Sequence, residues 1–113
     1  MTITLPLPPS INRTYKTGNG HFYKSREAHD WETEALWEIK RQVRYPYPML
    51  GRLSVHLTFY FERDSDIDSR IKAVLDVLQK GQAISNDRDI THLEVLKIID
   101  KVKPRADIRI EKI

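Results

Sequence analysis

The chain has 113 residues and no cysteine, with hydrophobic residues at 40% and charged residues at 31%. This is the make-up of one ordinary globular domain, and it excludes disulfides and thiolate metal sites. Nineteen Lys and Arg against sixteen Asp and Glu leave a net charge of +3, a mild pull toward a polyanionic partner. Met1 to Pro6 lacks the basic start and apolar run of a signal peptide. No stretch approaches the ~18 apolar residues of a membrane span. The expectation is a soluble, cytoplasmic protein that does not engage a membrane.

Thr2 to Leu7 alternates weakly and reads as a short strand, ended by Pro6, Pro8 and Pro9. Ser10 to Lys24 is loop-like, with a turn at Gly18-Asn19-Gly20 and Tyr15, Phe22 and Tyr23 placed to pair across it as a small hairpin. Ser25 is a suitable N-cap for a helix to about Arg44, whose apolar stripe is Ala28, Trp31, Ala35, Ile39 and Val43. Leu53, Val55, Leu57, Phe59 and Phe61 alternate with polar or half-polar neighbours, which predicts a strand with one buried face.

A second helix is predicted from about Asp68 to Lys80, with Ile71, Val74, Leu75 and Leu78 toward the core and Gly81 at C′. Beyond a turn at Ser85–Asp89, Leu93 to Asp100 and Ala106 to Ile113 read as strands, joined in a hairpin by Lys103-Pro104-Arg105. Strand, helix, strand, helix, strand, strand makes a single α/β (α+β) domain over residues 1–113, a mixed sheet with two helices packed on it.

Seven of the sixteen acids lie between residues 62 and 89: Glu62, Asp64, Asp66, Asp68, Asp76, Asp87 and Asp89. Asp66 and Asp68 alternate around Ile67, so an extended chain points both to one face and Ile67 inward. Carboxylates held that close repel unless a cation sits between them, and all-oxygen ligation suits magnesium or manganese. Equally, acids at a helix start serve as caps that complement the macrodipole. Both readings stand. An EF-hand is excluded, because Ser69 holds its glycine position and Leu75 its glutamate position.

Asp68, Lys72 and Asp76 share a helix face, either as a charge ladder or as a lysine held near metal-bound carboxylates. Asp87, taken singly, reads as a turn residue. His21, His29, His56 and His92 show no zinc spacing. There is no nucleophile elbow or Gly-rich phosphate loop, and Pro6-x-x-Pro9 reads as a strand stop rather than an SH3 ligand.

In this order the residues resemble the RusA-type Holliday-junction resolvases of bacteria and their phages. The resemblance rests on Leu5-Pro-Leu-Pro-Pro-Ser-Ile-Asn-Arg13, on Asp66-Ile-Asp68 followed by Lys72, on Asp87 nineteen residues after Asp68, and on closing strands with Lys97 in the first. It implies a homodimeric, magnesium-dependent endonuclease, manganese able to substitute, that makes paired symmetric cuts in four-way junction DNA during recombination and repair. Its metal ligands are Asp66, Asp68 and Asp87, with Lys72 assisting catalysis. The family's arginine before the first aspartate is Ser65 here, and its asparagine after the second is Ser69, which leaves Arg63 or Arg70 to restore the positive charge.

DNA contacts are expected from Asn12, Arg13, Lys16 and Lys24, with the loop aromatics, and from Arg63, Arg70 and Lys97. The same loop also reads as a surface segment covering the core edge. For the dimer, Trp31 with Leu36 or Trp37 is the expected contact surface. The rival functions are a junction-binding module that does not cut, and a phage regulatory subunit whose acids only cap a helix.

Overall fold

The computed structural model describes residues 1–10, 15–18, 21–44 and 48–113, with the backbone alone for 15–18 and 21–23. β1 (Thr2–Leu5) stops where Pro6 removes the next N–H, two residues before the expected end. β2 (Tyr15–Gly18) and β3 (His21–Lys24) pair antiparallel as the expected hairpin. α1 (Arg26–Gln42) is capped by Ser25, whose Oγ accepts the Ala28 N–H at 3.1 Å. It buries Ala28, Trp31, Ala35 and Ile39 of the expected stripe, but it ends at Gln42, so Val43 is its C-cap and is only partly buried.

β4 (Leu53–Phe61) is the central strand, and its inward residues Leu53, Val55, Leu57, Phe59 and Phe61 are all buried. Full burial of each contributes ~1.5–3 kcal/mol. A 3₁₀ turn (Ile67–Arg70) leads into α2 (Ile71–Lys80). This helix buries Val74, Val77 and Leu78, while Ile71 and Leu75 are only partly covered. Val77 replaces Leu75 in the core because it faces Ala28 and Trp31 of α1 across the interhelical groove.

Gly81 is not left-handed (φ −82°); the left-handed residue is Gln82 (φ 63°). A Cβ at Gly81 would stand 3.1 Å from Ile39 side-chain atoms and from the Val77 carbonyl. The glycine therefore serves close helix packing, not the C′ geometry expected of it.

A second 3₁₀ turn (Asp87–Asp89) precedes β5 (Ile90–Ile99), which starts three residues earlier than expected; β6 (Arg105–Lys112) closes the chain. The four-stranded sheet has the order β1-β6-β4-β5. β5 runs parallel to β4 and β6 antiparallel to it, so Lys103-Pro104-Arg105 does not make a hairpin between neighbours. That connection crosses the C-terminal end of β4, where the Asp100 N–H donates to the Phe61 carbonyl at 2.8 Å. Turn-forming residues predict a change of direction but not which strand lies beside the next.

Among the described residues, both helices pack on one face of the sheet. Its bare face carries polar contacts: His56 bridges Ser54 Oγ (3.1 Å) and Glu94 (2.7 Å), and the Arg105 guanidinium lies 3.7 Å above the Tyr60 ring. No described helix is long and apolar enough to cross a membrane.

Candidate active site

Strand β4 delivers the chain to residues 62–66 at its C-terminal end, and parallel strand β5 ends beside it. The C-terminal ends of parallel strands are where open α/β sheets place their sites, because the chain there leaves the sheet with its loop ends free. Lys97 on β5 donates to Asp64 Oδ1 at 2.8 Å and to the Ser65 carbonyl at 3.1 Å, pinning the loop to the sheet. Its ammonium holds the Asp64 carboxyl below the usual carboxylate range. Arg70 fastens the same loop from the helix side. Its guanidinium donates to Ser65 Oγ (2.8 Å) and to the Pro8 carbonyl (2.7 Å) and stacks 4.6 Å from the Phe61 ring.

Arg70 thus brings positive charge to Ser65, the position where the resemblance has an arginine, and ties the Pro-Pro-Ser segment to the carboxylate loop. Arg63 is exposed and lines the recess between them, together with Pro8, Ser65 and Arg70.

Asp66 is extended (φ −64°, ψ 130°), but the chain is not extended across to Asp68. The Asp66 carbonyl accepts both the Ser69 hydroxyl (2.8 Å) and the Ser69 N–H (3.3 Å), which closes the 3₁₀ turn at once. Ile67 is consequently exposed rather than pointed inward, and the expected same-face alternation of Asp66 and Asp68 is replaced by a turn. Neither the 3₁₀ turn nor α2 receives a side-chain cap from an acid. Among the described residues, no hydrogen bond or ion pair ends on the side chain of Asp66, Asp68 or Asp87. All three are exposed.

Asp68, Lys72 and Asp76 line the groove between α1 and α2, with Lys72 Nζ 3.4 Å from Asp76. Glu32 closes that groove, accepting from Lys24 Nζ at 2.7 Å and from Lys80 Nζ; both lysines hold its carboxyl below the usual range. Lys24 is therefore held in an ion pair. Lys16 is placed by its backbone in β2, whereas Asn12 and Arg13 lie outside the described residues.

Asp87 stands elsewhere. Ile90 is level with Leu53, so the turn that holds Asp87 lies where β4 begins, whereas Asp66 and Asp68 follow its C-terminal end. The ten residues of α2, ~15 Å of helix, separate the two places. Gln79, at the far end of α2, fixes Asp87 by accepting its N–H at 2.8 Å. That positioning residue left no signal in the sequence, since a lone glutamine eight residues before an aspartate has no characteristic spacing.

Exposed carboxylate oxygens suit magnesium as donors. Among the described residues, however, no three acidic or histidine side chains gather closely enough to hold an ion. Within one chain, Asp66 and Asp68 share the end of β4, and Asp87 does not join them.

The family model described as "Endodeoxyribonuclease RusA" matches residues 6–111. A protein of Aquifex aeolicus (strain VF5) named "Crossover junction endodeoxyribonuclease RusA" is 32% identical over 108 residues, covering 94% of this chain and 84% of its own. A protein of the same name from Escherichia coli (strain K12) is 29% identical over 100 residues, covering 86% and 82%. With the match spanning nearly the whole domain, the chain belongs to the RusA family of endodeoxyribonucleases.

Proposed function

We propose that the protein is a magnesium-dependent endonuclease that resolves four-way DNA junctions by paired, symmetric cuts in recombination and repair, acting in the cytoplasm. One observation carries the reading. In a chain of an endodeoxyribonuclease family, Asp66 and Asp68 stand exposed at the C-terminal end of the central strand, with no cap bond or ion pair among the described residues. Carboxylates whose role was capping would be bonded to the helix N-terminus.

Asp66, Asp68 and Asp87 are the residues that would hold the ion. Bound magnesium would supply an activated water and neutralise charge at the scissile phosphate. Lys72, exposed in the groove that Asp68 lines, presents its ammonium to phosphate oxygens as negative charge builds there. Arg63, with Asn12, Arg13 and Lys16, would meet the phosphate backbone. Arg70 and Lys97 act mainly by holding the carboxylate loop, since both are already bonded to it. A four-way junction has approximate two-fold symmetry, and one chain carries one Asp66–Asp68 pair. Paired cuts therefore require a homodimer.

The test is a four-way junction and a linear duplex of the same arm sequence, each incubated with and without magnesium. Symmetric nicks in the junction that need magnesium support the reading. Tight junction binding with no cutting at any metal concentration would establish the non-catalytic binding module instead. Equal cutting of the duplex would remove junction selectivity.

A further inference from the structure

Of the large hydrophobic side chains described, Val102 is the most exposed, at 95%. A lone aliphatic group in water needs no explanation by itself; its setting is what distinguishes it. Val102 stands in the connection between β5 and β6, flanked by Lys101 and Lys103. Both lysines are exposed, and neither makes an ion pair among the described residues.

The tip is held from below by side chains. Asp100 Oδ1 accepts the N–H groups of Val102 (3.0 Å) and Lys103 (3.1 Å), and Asp100 Oδ2 accepts from the Arg105 guanidinium at 3.2 Å. The same guanidinium donates to the Lys103 carbonyl at 2.9 Å and lies over the Tyr60 ring. A valine presented to solvent on so well-bonded a turn needs little further ordering when a ligand arrives.

Its place in the fold matters as much. The Asp100 N–H donates to the Phe61 carbonyl at 2.8 Å, and Pro104 lines one recess with Arg63, Asp64 and Ser65. The tip therefore rises at the end of the sheet from which the chain runs on to Asp66 and Asp68. Lysines are depleted from the cores of protein–protein contacts, whereas they bind phosphates as point charges. Two of them around one small apolar group suit a nucleic acid better than a protein surface.

We propose that Lys101-Val102-Lys103 is a branch-point probe: the lysines hold phosphates of strands that part at a junction, and Val102 packs on the base-pair face laid open between them. The proposal rests on reading the protein as one that acts on four-way DNA. In a continuous duplex each base pair is stacked on both sides, and a valine meets only groove edges. Where arms part, a base-pair face loses its stacking neighbour and offers the apolar surface on which inserted aliphatic side chains pack. The lysines thus add affinity for any DNA, and Val102 adds preference for a branch.

Gel-shift titrations with a four-way junction and a linear duplex of the same arm sequence, without divalent metal, separate the two roles. Val102→Ala should lower junction affinity ~5–10-fold, the loss expected when two methyl groups are no longer buried, and leave duplex affinity unchanged. Val102→Leu should keep the preference. Lys101→Gln and Lys103→Gln should weaken both DNAs, each lowering the salt slope by about one. A 2-aminopurine in the branch-point pair should brighten on binding wild-type protein, and brighten less at saturation with Val102→Ala.

A wild-type protein that prefers the junction, with Val102→Ala binding both DNAs as before, would overturn the probe and leave the proposed function standing. An equal loss on junction and duplex would reduce Val102 to a groove contact and overturn the probe likewise. Wild-type protein that binds neither DNA would overturn the proposed function and the probe together. A junction preference that Val102→Ala removes, in a protein that cuts nothing when magnesium is restored, would uphold the probe and overturn the nuclease reading.

Discussion

At one rim of the sheet, Gln42 occupies the Thr4 backbone and α1 lies alongside; at the other, β5 offers ten residues of backbone and four exposed aliphatic side chains. Both rims face the same hazard, since unpaired strand edges recruit other strands. The protein closes the short rim with a side-chain amide that imitates a neighbouring strand, whereas among the described residues no strand pairs with the outer edge of β5. The carboxylate loop is fastened to the open side through Lys97, so changes near β5 should alter cutting, and changes near β1 should alter stability alone.

The largest expected effect is at the carboxylates. Asp66→Asn, Asp68→Asn and Asp87→Asn should each lower junction cutting by at least ~100-fold, as expected when a metal ligand that stabilises the transition state is lost. Each change also removes a negative charge facing DNA, so junction affinity should stay equal or rise. Nicking rates beside gel-shift affinities would show the two parting. An Asp87→Asn protein that cuts at the wild-type rate would remove Asp87 from the ligand set.

Lys72→Ala comes next. Its contact with Asp76 joins two exposed side chains, and an exposed helix pair contributes at most ~0.5 kcal/mol. A phosphate contact in the transition state contributes several kcal/mol, so turnover should fall ~10–100-fold with the melting temperature nearly unchanged. Clear destabilisation with normal turnover would reduce Lys72 to a charge-ladder residue.

How much of this was legible in the sequence depends on whether a feature leaves a local pattern. β4 and α1 were readable because a period of two and a stripe at spacings of three and four each identify an element and its buried face. Asp66, Asp68 and Lys72 were readable as a group because their spacing is short. The sheet order was not, because the Lys103-Pro104-Arg105 turn is compatible with a hairpin or with a crossing over β4. The Asp66–Asp68 geometry escaped because Ser69 closes a turn that alternation alone does not reveal. Gln42 and Gln79 act through single amide contacts to backbone, one across the fold and one across a turn, and neither carries a periodicity.

Gln42→Ala probes the closed rim. It removes the two hydrogen bonds to Thr4 and one to Glu38, with a net loss of about 1–2 kcal/mol for bonds partly open to water. Melting should drop by several degrees while cutting and dimer mass hold. A loss of cutting as large as that from Lys72→Ala would show that the rims are not separable in function.

The smallest effect concerns Glu32, which ties α1 over the closed half of the sheet to α2 over the open half. Lys24 and Lys80 depress its folded carboxyl pKa below the ordinary 4.5. A depressed acid binds fewer protons when folded than when unfolded, so its stabilisation is fully present above the unfolded value and fades as pH falls through the folded one. Glu32→Gln should therefore be less stable than wild type near pH 7, by about 1 kcal/mol or less because both lysines are partly exposed. The gap should narrow below about pH 4.5 and close as the wild-type carboxyl protonates. Paired denaturant melts from pH 7 to pH 3 would measure it. A gap that widens on acidification would mean that the clamp holds through packing in the groove rather than through charge, and that the two halves are joined without help from the ion pair.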